Sequence, residues 1–449
     1  MRRKHSPLQW CLSISILLAV AGCATFMELG DKETTSYGGQ KTTQQFGVGY
    51  FHTAEIDGRW WLIDPEGGLF FSKGVNHVSY SADRAPTLGY SPYKRAVERK
   101  YGSEEAWAEA AVKRLRSWGF NTLGAWCASS TFHEEMAYTP IINMGRQAGG
   151  DWLTGTFPDV FSEQFREGCR EVARKECAPR ATDPYVLGYF TDNELSWGPD
   201  WRQKTSLLIR FLMSDYETPG HQRALRFLKR KYDTAEALGE AWRVRIETFE
   251  NLADARTPRN DVQRFDEDEF QYLCARQYFR VCHDAIREFD PKHLIIGCRF
   301  AGRAPEPVLR AMEGFVDIVS YNRYDHKPPE ERLERIHEIT GLPIMLTEFS
   351  FKAMDSGLPN TRGAGQAVQT QQERADLFTT YVTELARMPF MVGYHWFEHA
   401  DEPAEGRFDG ENSNYGVVNI HDEPWRLLVE RMTEVNRTLD EIHATSPVE

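Results

Sequence analysis

Three shortages frame this 449-residue sequence. Positive charge is short: 53 lysines and arginines face 66 aspartates and glutamates, a formal net charge of −13. The chain therefore lacks the basic footprint that neutralising a phosphate backbone requires, and nucleic acid is not an expected partner. The apolar run near the N-terminus, around residues 14–20, is too short to cross about 30 Å of hydrocarbon, which excludes a spanning helix there. Cysteine numbers only eight, and the spacing of Cys127, Cys169, Cys177, Cys274, Cys282 and Cys298 matches no zinc motif. Cys169/Cys177 and Cys274/Cys282 each lie two helical turns apart, about 12 Å of rise, so neither pair closes a disulfide within one helix. Bridges between elements and buried free thiols both stay open. No internal repeat and no second domain boundary is visible.

What is present begins with a signal. Arg2, Arg3 and Lys4 precede the apolar run, which ends in the small residues Ala21-Gly22-Cys23, the pattern of a secretion signal over 1–23. Val20-Ala21-Gly22-Cys23 resembles the bacterial lipobox, so Cys23 is expected to be lipidated and to become the mature N-terminus, with membrane contact through the lipid alone. Ala24 rather than aspartate after it favours the outer membrane in a Gram-negative cell. Residues 24–48, rich in Thr, Gln and Gly, read as a flexible tether. The remaining 49–449 suit one large catalytic domain.

Along that domain, short β-branched or apolar runs alternate with amphipathic helical stretches, the mark of a parallel sheet wrapped by helices. Eight strands are expected, at 69–76, 120–126, 140–144, 186–191, 294–298, 316–321, 344–347 and 391–396. DGRWWLIDPEGG before the first reads as a hairpin on the barrel floor. One helical segment is expected over 93–118, another over 160–178 and a last one over 425–439. A helical insertion, 198–290, separates strands four and five, with Leu225, Phe227, Leu228 and Tyr232 burying one face. The fold class is α/β, a (β/α)8 TIM barrel with this insertion and a long loop after strand eight.

In such a barrel the chemistry stands at the C-terminal ends of the strands. GYFTDNELSW (188–197) and LPIMLTEFSF (342–351) each deliver a glutamate there. Glu194 on strand four and Glu348 on strand seven would face each other across the mouth, and a pair of carboxyl groups is what glycosidic cleavage needs. Glu348 is the expected nucleophile, kept ionised by a donor for which Tyr321 is placed; Glu194 is the expected acid and base, held protonated by partial burial and its negative neighbour. Asn193 would bond the 2-hydroxyl of the reacting sugar. Trp396 would lie under that ring, and Asn76, His77, Trp126 and His395, all at strand ends, would shape the pocket. Aromatic residues make up 12% of the chain, which suits both sugar stacking and ordinary core packing. The polar loop 395–419 is expected to contribute binding groups, Arg407 among them; DGEN at 409–412 lacks the spacing of a calcium loop, so neither metal nor cofactor is expected.

Asn193-Glu194, Glu348, Tyr321 and Trp396 on their respective strands resemble the clan A glycoside hydrolases, which are retaining (β/α)8 enzymes. GRWWLIDPEGGLFFSKGVN (58–76), GYFTDNELSW, TEFSF (347–351) and HWFEHADEPAEGRFDGENSNYGVVN (395–419) together are similar to family 50, the β-agarases, from about residue 50 onward. The resemblance implies hydrolysis of β-linkages in agarose or a related red-algal galactan, with Glu194 as acid/base, Glu348 as nucleophile and Asn193 at the 2-hydroxyl. RFLKRKYDTAEALGEAW in the insertion also resembles family 42 β-galactosidases, which leaves action on short oligosaccharides as an alternative, beside a carrageenan-type hydrolase. A surface glycan-binding lipoprotein without turnover is the non-enzymatic alternative.

Overall fold

The computed structural model describes residues 34–42, 45–249 and 260–448. The proposed signal, the lipidation site Cys23 and part of the proposed tether lie outside the described residues. Eight parallel strands form the barrel: Ser72–Val75, Thr122–Leu123, Ala137–Tyr138, Gly188–Asn193, Leu294–Ala301, Val319–Asn322, Ile344–Phe349 and Met391–Trp396. Strand one pairs with strand eight as well as strand two, and bridges from Tyr138 to Val186 and from Ile141 to Phe190 join strands three and four. The sheet is therefore closed, with helices between its strands, as the alternation of elements implied.

Two apolar layers hold it together. Leu187, Phe190, Ile296, Ile318, Met345 and Val392 fill the barrel interior, while Val186, Tyr189, Ile295, Val319 and Leu346 face the helices, the two faces that strand periodicity separates. Breaks in that periodicity aim the site. Register shifts interrupt strand four on both sides of Phe190, strand seven between Leu346 and Glu348, and strand eight beside Gly393. Each shift turns the following residues over, which brings Asn193, Glu348 and His395 inward and sends Asp192, Phe349 and Trp396 outward. At Gly74 an added Cβ would meet the His395 ring at 2.3 Å, so only glycine lets that imidazole fill the barrel.

Several expected boundaries move. The 93–118 segment is two helices, Pro92–Tyr101 and Glu104–Ser117, because Gly102 adopts a left-handed φ of 80° and the Ser103 side chain caps the second helix. Strand three lies at Ala137–Tyr138, ahead of Pro140, whose ring nitrogen cannot donate to a ladder. Leu69–Phe70 belongs to a floor hairpin with His52–Ile56 and Arg59–Ile63, leaving strand one to begin at Ser72. The tether reading fails over residues 34–40: Thr34 bridges Gln40, Gln40 bridges Leu69, and the Tyr37 ring packs 4.9 Å from that of Tyr185.

Between strands four and five run the helices Leu207–Leu212, Pro219–Lys231, Ala235–Trp242 and Asp261–Phe289. Leu225 and Leu228 are buried, with Phe227 and Tyr232 partly so. The Tyr232 hydroxyl and the Trp242 indole both donate to Asp266 at 2.7 Å and tie the short helices to the long one. The six cysteines outside 1–23 are free thiols, five of them buried.

Candidate active site

Asn322, at the end of strand six, is the centre of the site and was not singled out by the sequence. Strand six is regular, so Ile318, Ser320 and Asn322 face inward while Tyr321 faces the helices. The Asn322 carbonyl oxygen accepts from the Thr347 hydroxyl at 2.8 Å, which fixes its amide orientation. Its nitrogen then contacts Asn193 Oδ1 at 3.1 Å, Glu194 Oε1 at 3.1 Å and Glu348 Oε2 at 3.2 Å. Two carboxylate oxygens sharing one nitrogen can be no farther apart than those two contacts laid end to end. Glu194 and Glu348 thus meet across one cavity, both almost fully buried.

Their surroundings differ. The Arg299 guanidinium, on strand five and fully buried, lies 2.9 Å from Glu348 Oε2 and donates to Asn193 Oδ1 at 3.1 Å, while the Tyr324 hydroxyl donates to Glu348 Oε1 at 2.5 Å. Burial pushes the Glu348 pKa up to about 7, against the pull of Arg299 and Tyr324 and with the push of Glu194. Glu194 receives neutral donors instead: the Asn322 amide and the Trp152 indole, the latter at 3.0 Å. Arg202 steadies this side by donating to the Trp152 and Glu194 carbonyls at 2.8 and 2.6 Å.

Two cavities meet at this pair, both bounded by Trp152, Glu194, Glu348 and Arg407. The smaller, about 510 Å³, is walled by His77, Asp83, Trp126, Asn193, Phe397 and Phe408. The larger, about 1420 Å³, opens over the ends of strands five and six and includes Trp201 and Tyr324. In the smaller one, His77 Nδ1 bonds Glu398 and lies 3.8 Å from Asp83. Burial opposes charge on His77, yet the Asp83 and Glu398 carboxylates raise its pKa to about 9. His77, Asp83 and Glu398 offer ligand atoms within 4.8 Å of one another. Arg407 already brings a fixed cation to 3.9 Å from Asp83, so this wall has a guanidinium where a metal would otherwise offset the acids. Arg407 also holds Asp409 at 3.0 Å and Glu411 at 2.7 Å, occupying the two carboxylates of the DGEN segment.

Of the residues expected here, Asn193, His77, Trp126 and Arg407 line the site beside the two glutamates. The others stand elsewhere. Tyr321 donates to Gly302 O at 2.9 Å and reaches the larger cavity wall without touching Glu348; Tyr324 takes the role assigned to it. Trp396 faces outward, packed on Phe349 and Phe378 with its indole N–H donating to Tyr415 O at 2.9 Å, and the ring at the pocket is that of Phe397. His395 is sealed inside the barrel, 3.0 Å from Ser72 Oγ, where burial pushes its pKa down to about 3. Asn76 spans two strands from behind, donating to Thr347 O at 3.0 Å and accepting from Ala125 N at 2.9 Å. Arg299, Tyr324 and Trp152 were missed, although Arg299 ends the strand-five run and Asn322 and Tyr324 end that of strand six.

Comparison with known proteins bears on this geometry. A β-galactosidase family profile, glycosyl hydrolase 42, matches residues 157–360, the stretch that holds both glutamates. Beta-agarase B and beta-agarase A of Vibrio sp. (strain JT0107) are 28% and 29% identical over 87% and 85% of this chain. The chain spans about half the length of these relatives, 48% and 45%. A solved exo-β-agarase superposes with a TM-score of 0.82 at 26% identity, covering 92% of this chain and 68% of that one. The solved agarase AgWH50C gives 0.79 at 27%, covering 91% and 68%. Barrel, strand order and relatives agree: the chain is similar to the clan A glycoside hydrolases, and within them to the agarases of family 50.

Proposed function

We propose that this chain hydrolyses β-galactosidic linkages in agarose or a related galactan by a retaining mechanism. The observation that carries this reading is the Asn322 nitrogen shared by Glu194 and Glu348. It keeps those two oxygens within about 6.3 Å of each other, which suits the roughly 5–5.5 Å separation of a retaining pair. Glu348, beside the Arg299 cation, is the nucleophile: it attacks the anomeric carbon as the glycosidic C–O bond breaks, and Glu194 gives its proton to the departing oxygen. Glu194 then takes a proton from water, whose oxygen attacks the anomeric carbon and releases Glu348.

Asn193 faces only the smaller cavity. If its amide meets the 2-hydroxyl of the reacting sugar, that sugar lies in the smaller cavity and the leaving sugar in the larger. The agarases among the relatives support an agarose-type substrate; the β-galactosidase profile supports a second reading, action on short β-galactosides. Agarose, neoagaro-oligosaccharides, carrageenans and aryl β-galactosides, with the anomer of the first-formed product read by NMR, test the proposal. A first-formed β-anomer from agarose is expected; an α-anomer overturns the retaining mechanism, and cleavage of aryl galactosides alone favours the second reading. Lipidation of Cys23 and anchoring at the cell envelope are part of the same proposal, checked by loss of a fatty-acid label in Cys23→Ser.

A further inference from the structure

The larger cavity has a wall whose charge runs against that of the chain. Three guanidinium groups converge on the loop that follows strand five. Arg323 Nη1 donates to Gly302 O at 3.3 Å, Arg332 Nη2 donates to Ala304 O at 2.7 Å, and Arg303 sits between those two carbonyls in sequence. All three line the cavity. Arg323 is answered by Asp325. Among the described residues no carboxylate forms an ion pair with Arg303 or Arg332; of the other acids along the cavity, Asp200 holds Arg202 at 2.8 Å, Glu306 holds Arg310 and Arg335, Glu411 holds Arg407 at 2.7 Å, and Asp268, on the helix Asp261–Phe289, pairs with neither arginine. Two cations are thus left facing the cavity in a protein of net charge −13.

We propose that this wall binds an anionic group carried by the leaving part of the substrate, a sulfate ester or carboxylate on a galactan sugar. The planar fork of a guanidinium matches either anion with paired N–H donors, and a neutral polysaccharide offers nothing that needs two uncompensated arginines. Arg332 is half-buried, its reach fixed by Ala304, whereas Arg303 is exposed. Arg332 therefore sets the position and Arg303 closes on the anion from the solvent side. This proposal rests on the assignment of the larger cavity to the leaving sugar.

The test uses the full chain and three matched galactan oligosaccharides: one sulfated on the leaving-side sugar, its desulfated counterpart, and one carrying a uronic acid there. Binding by calorimetry and kcat/KM are both measured. The sulfated or uronic compound is expected to bind about five- to tenfold more tightly than the neutral one, with whichever leads naming the anion. Arg303→Ala/Arg332→Ala should erase the preference, Arg303→Lys/Arg332→Lys should restore part of it, and 0.5 M NaCl, roughly, should weaken it in the wild type and in the lysine variant alike. Equal binding of all three, or a preference that survives in the alanine double variant, overturns the proposal. Hydrolysis of none of them counts against the galactan hydrolase reading instead, and the calorimetry still decides for or against the anion site.

Discussion

The smaller cavity pairs its charged side chains with one another, while one wall of the larger leaves two arginines without a carboxylate. On one side of the carboxylate pair His77 meets Glu398 and Asp83, and Arg407 meets Glu402, Asp409 and Glu411. On the other side stand Trp201, 56% exposed, Arg303 of the strand-five loop and Arg332, which reaches that loop from the helix Glu330–Thr340. Charges paired with one another hold their geometry before substrate arrives, which suits the sugar whose ring must be placed against Glu348. An exposed indole and two arginines without a carboxylate tolerate variation in what departs. Stringency on one side and tolerance on the other is a division of labour that mutations can break.

The junction itself should show no such asymmetry and the largest effects. Glu348→Gln is expected to lower kcat by more than about a thousandfold on every substrate. Glu194→Gln should do the same on oligosaccharides, yet far less on aryl galactosides whose leaving group departs without a proton. Equal losses on both substrate types would remove Glu194 from proton donation.

A step down in size is the pH profile. Since burial raises Glu348 to about 7, and only its ionised form attacks, kcat/KM should fall as the pH drops through about 7, with about one molecule in a hundred competent two units lower. Tyr324 favours the carboxylate by donating to it. Tyr324→Phe should therefore move the acid limb to higher pH and reduce kcat about tenfold; a limb that stays in place or moves down contradicts the assignment of Glu348.

The glutamates, Asn193 and the barrel order were legible because each depends on local sequence: an apolar run, its length and the polar residues at its end. The illegible part depended on phase. Strand eight reads naturally as delivering His395 and Trp396 to the mouth, but the register shift beside Gly393 turns His395 into the barrel and Trp396 toward the helices, passing the pocket position to Phe397. Tyr321 failed for the opposite reason, a strand without a shift, in which Asn322 takes the inward place. A bulge is set by how neighbouring strands pair, and pairing is a property of the closed sheet. Arg299 ends a strand run yet has its partners on strands four and seven, and Trp152 sits in a turn whose partner Glu194 follows strand four, so neither role could be read locally.

In the smaller cavity, His77→Gln should raise KM about tenfold for all substrates, because the loss of a cation beside Asp83 and Glu398 leaves a part-buried and a buried acid with Arg407 as the nearby cation. The same variant carries a stability signature. His77 is raised to about 9 in the folded chain, above its unfolded value of about 6.5, so its contribution is complete below about pH 6.5 and is lost as the pH rises through 9. The thermal midpoint of the wild type should decline over that window more than that of His77→Gln, and parallel declines would show that His77 carries no proton there.

The smallest effect belongs to the larger cavity. Arg202 stacks on the Trp201 ring, its guanidinium carbon 4.0 Å from the centroid, and Arg202 is itself held by Asp200 and by the Trp152 and Glu194 carbonyls. One face of the indole is thereby braced by the same arginine that steadies Glu194, and the ring remains 56% exposed. A sugar stacked there gains apolar contact without being fixed in register, so the gain should appear only in substrates long enough to reach it. Trp201→Ala is expected to raise KM about three- to fivefold for long oligosaccharides, with kcat unchanged, and to leave the shortest cleaved substrate unaffected. A fall in kcat on that shortest substrate would mean that Trp201 acts through Arg202 on the position of Glu194, and the two sides of the site would then be coupled rather than divided.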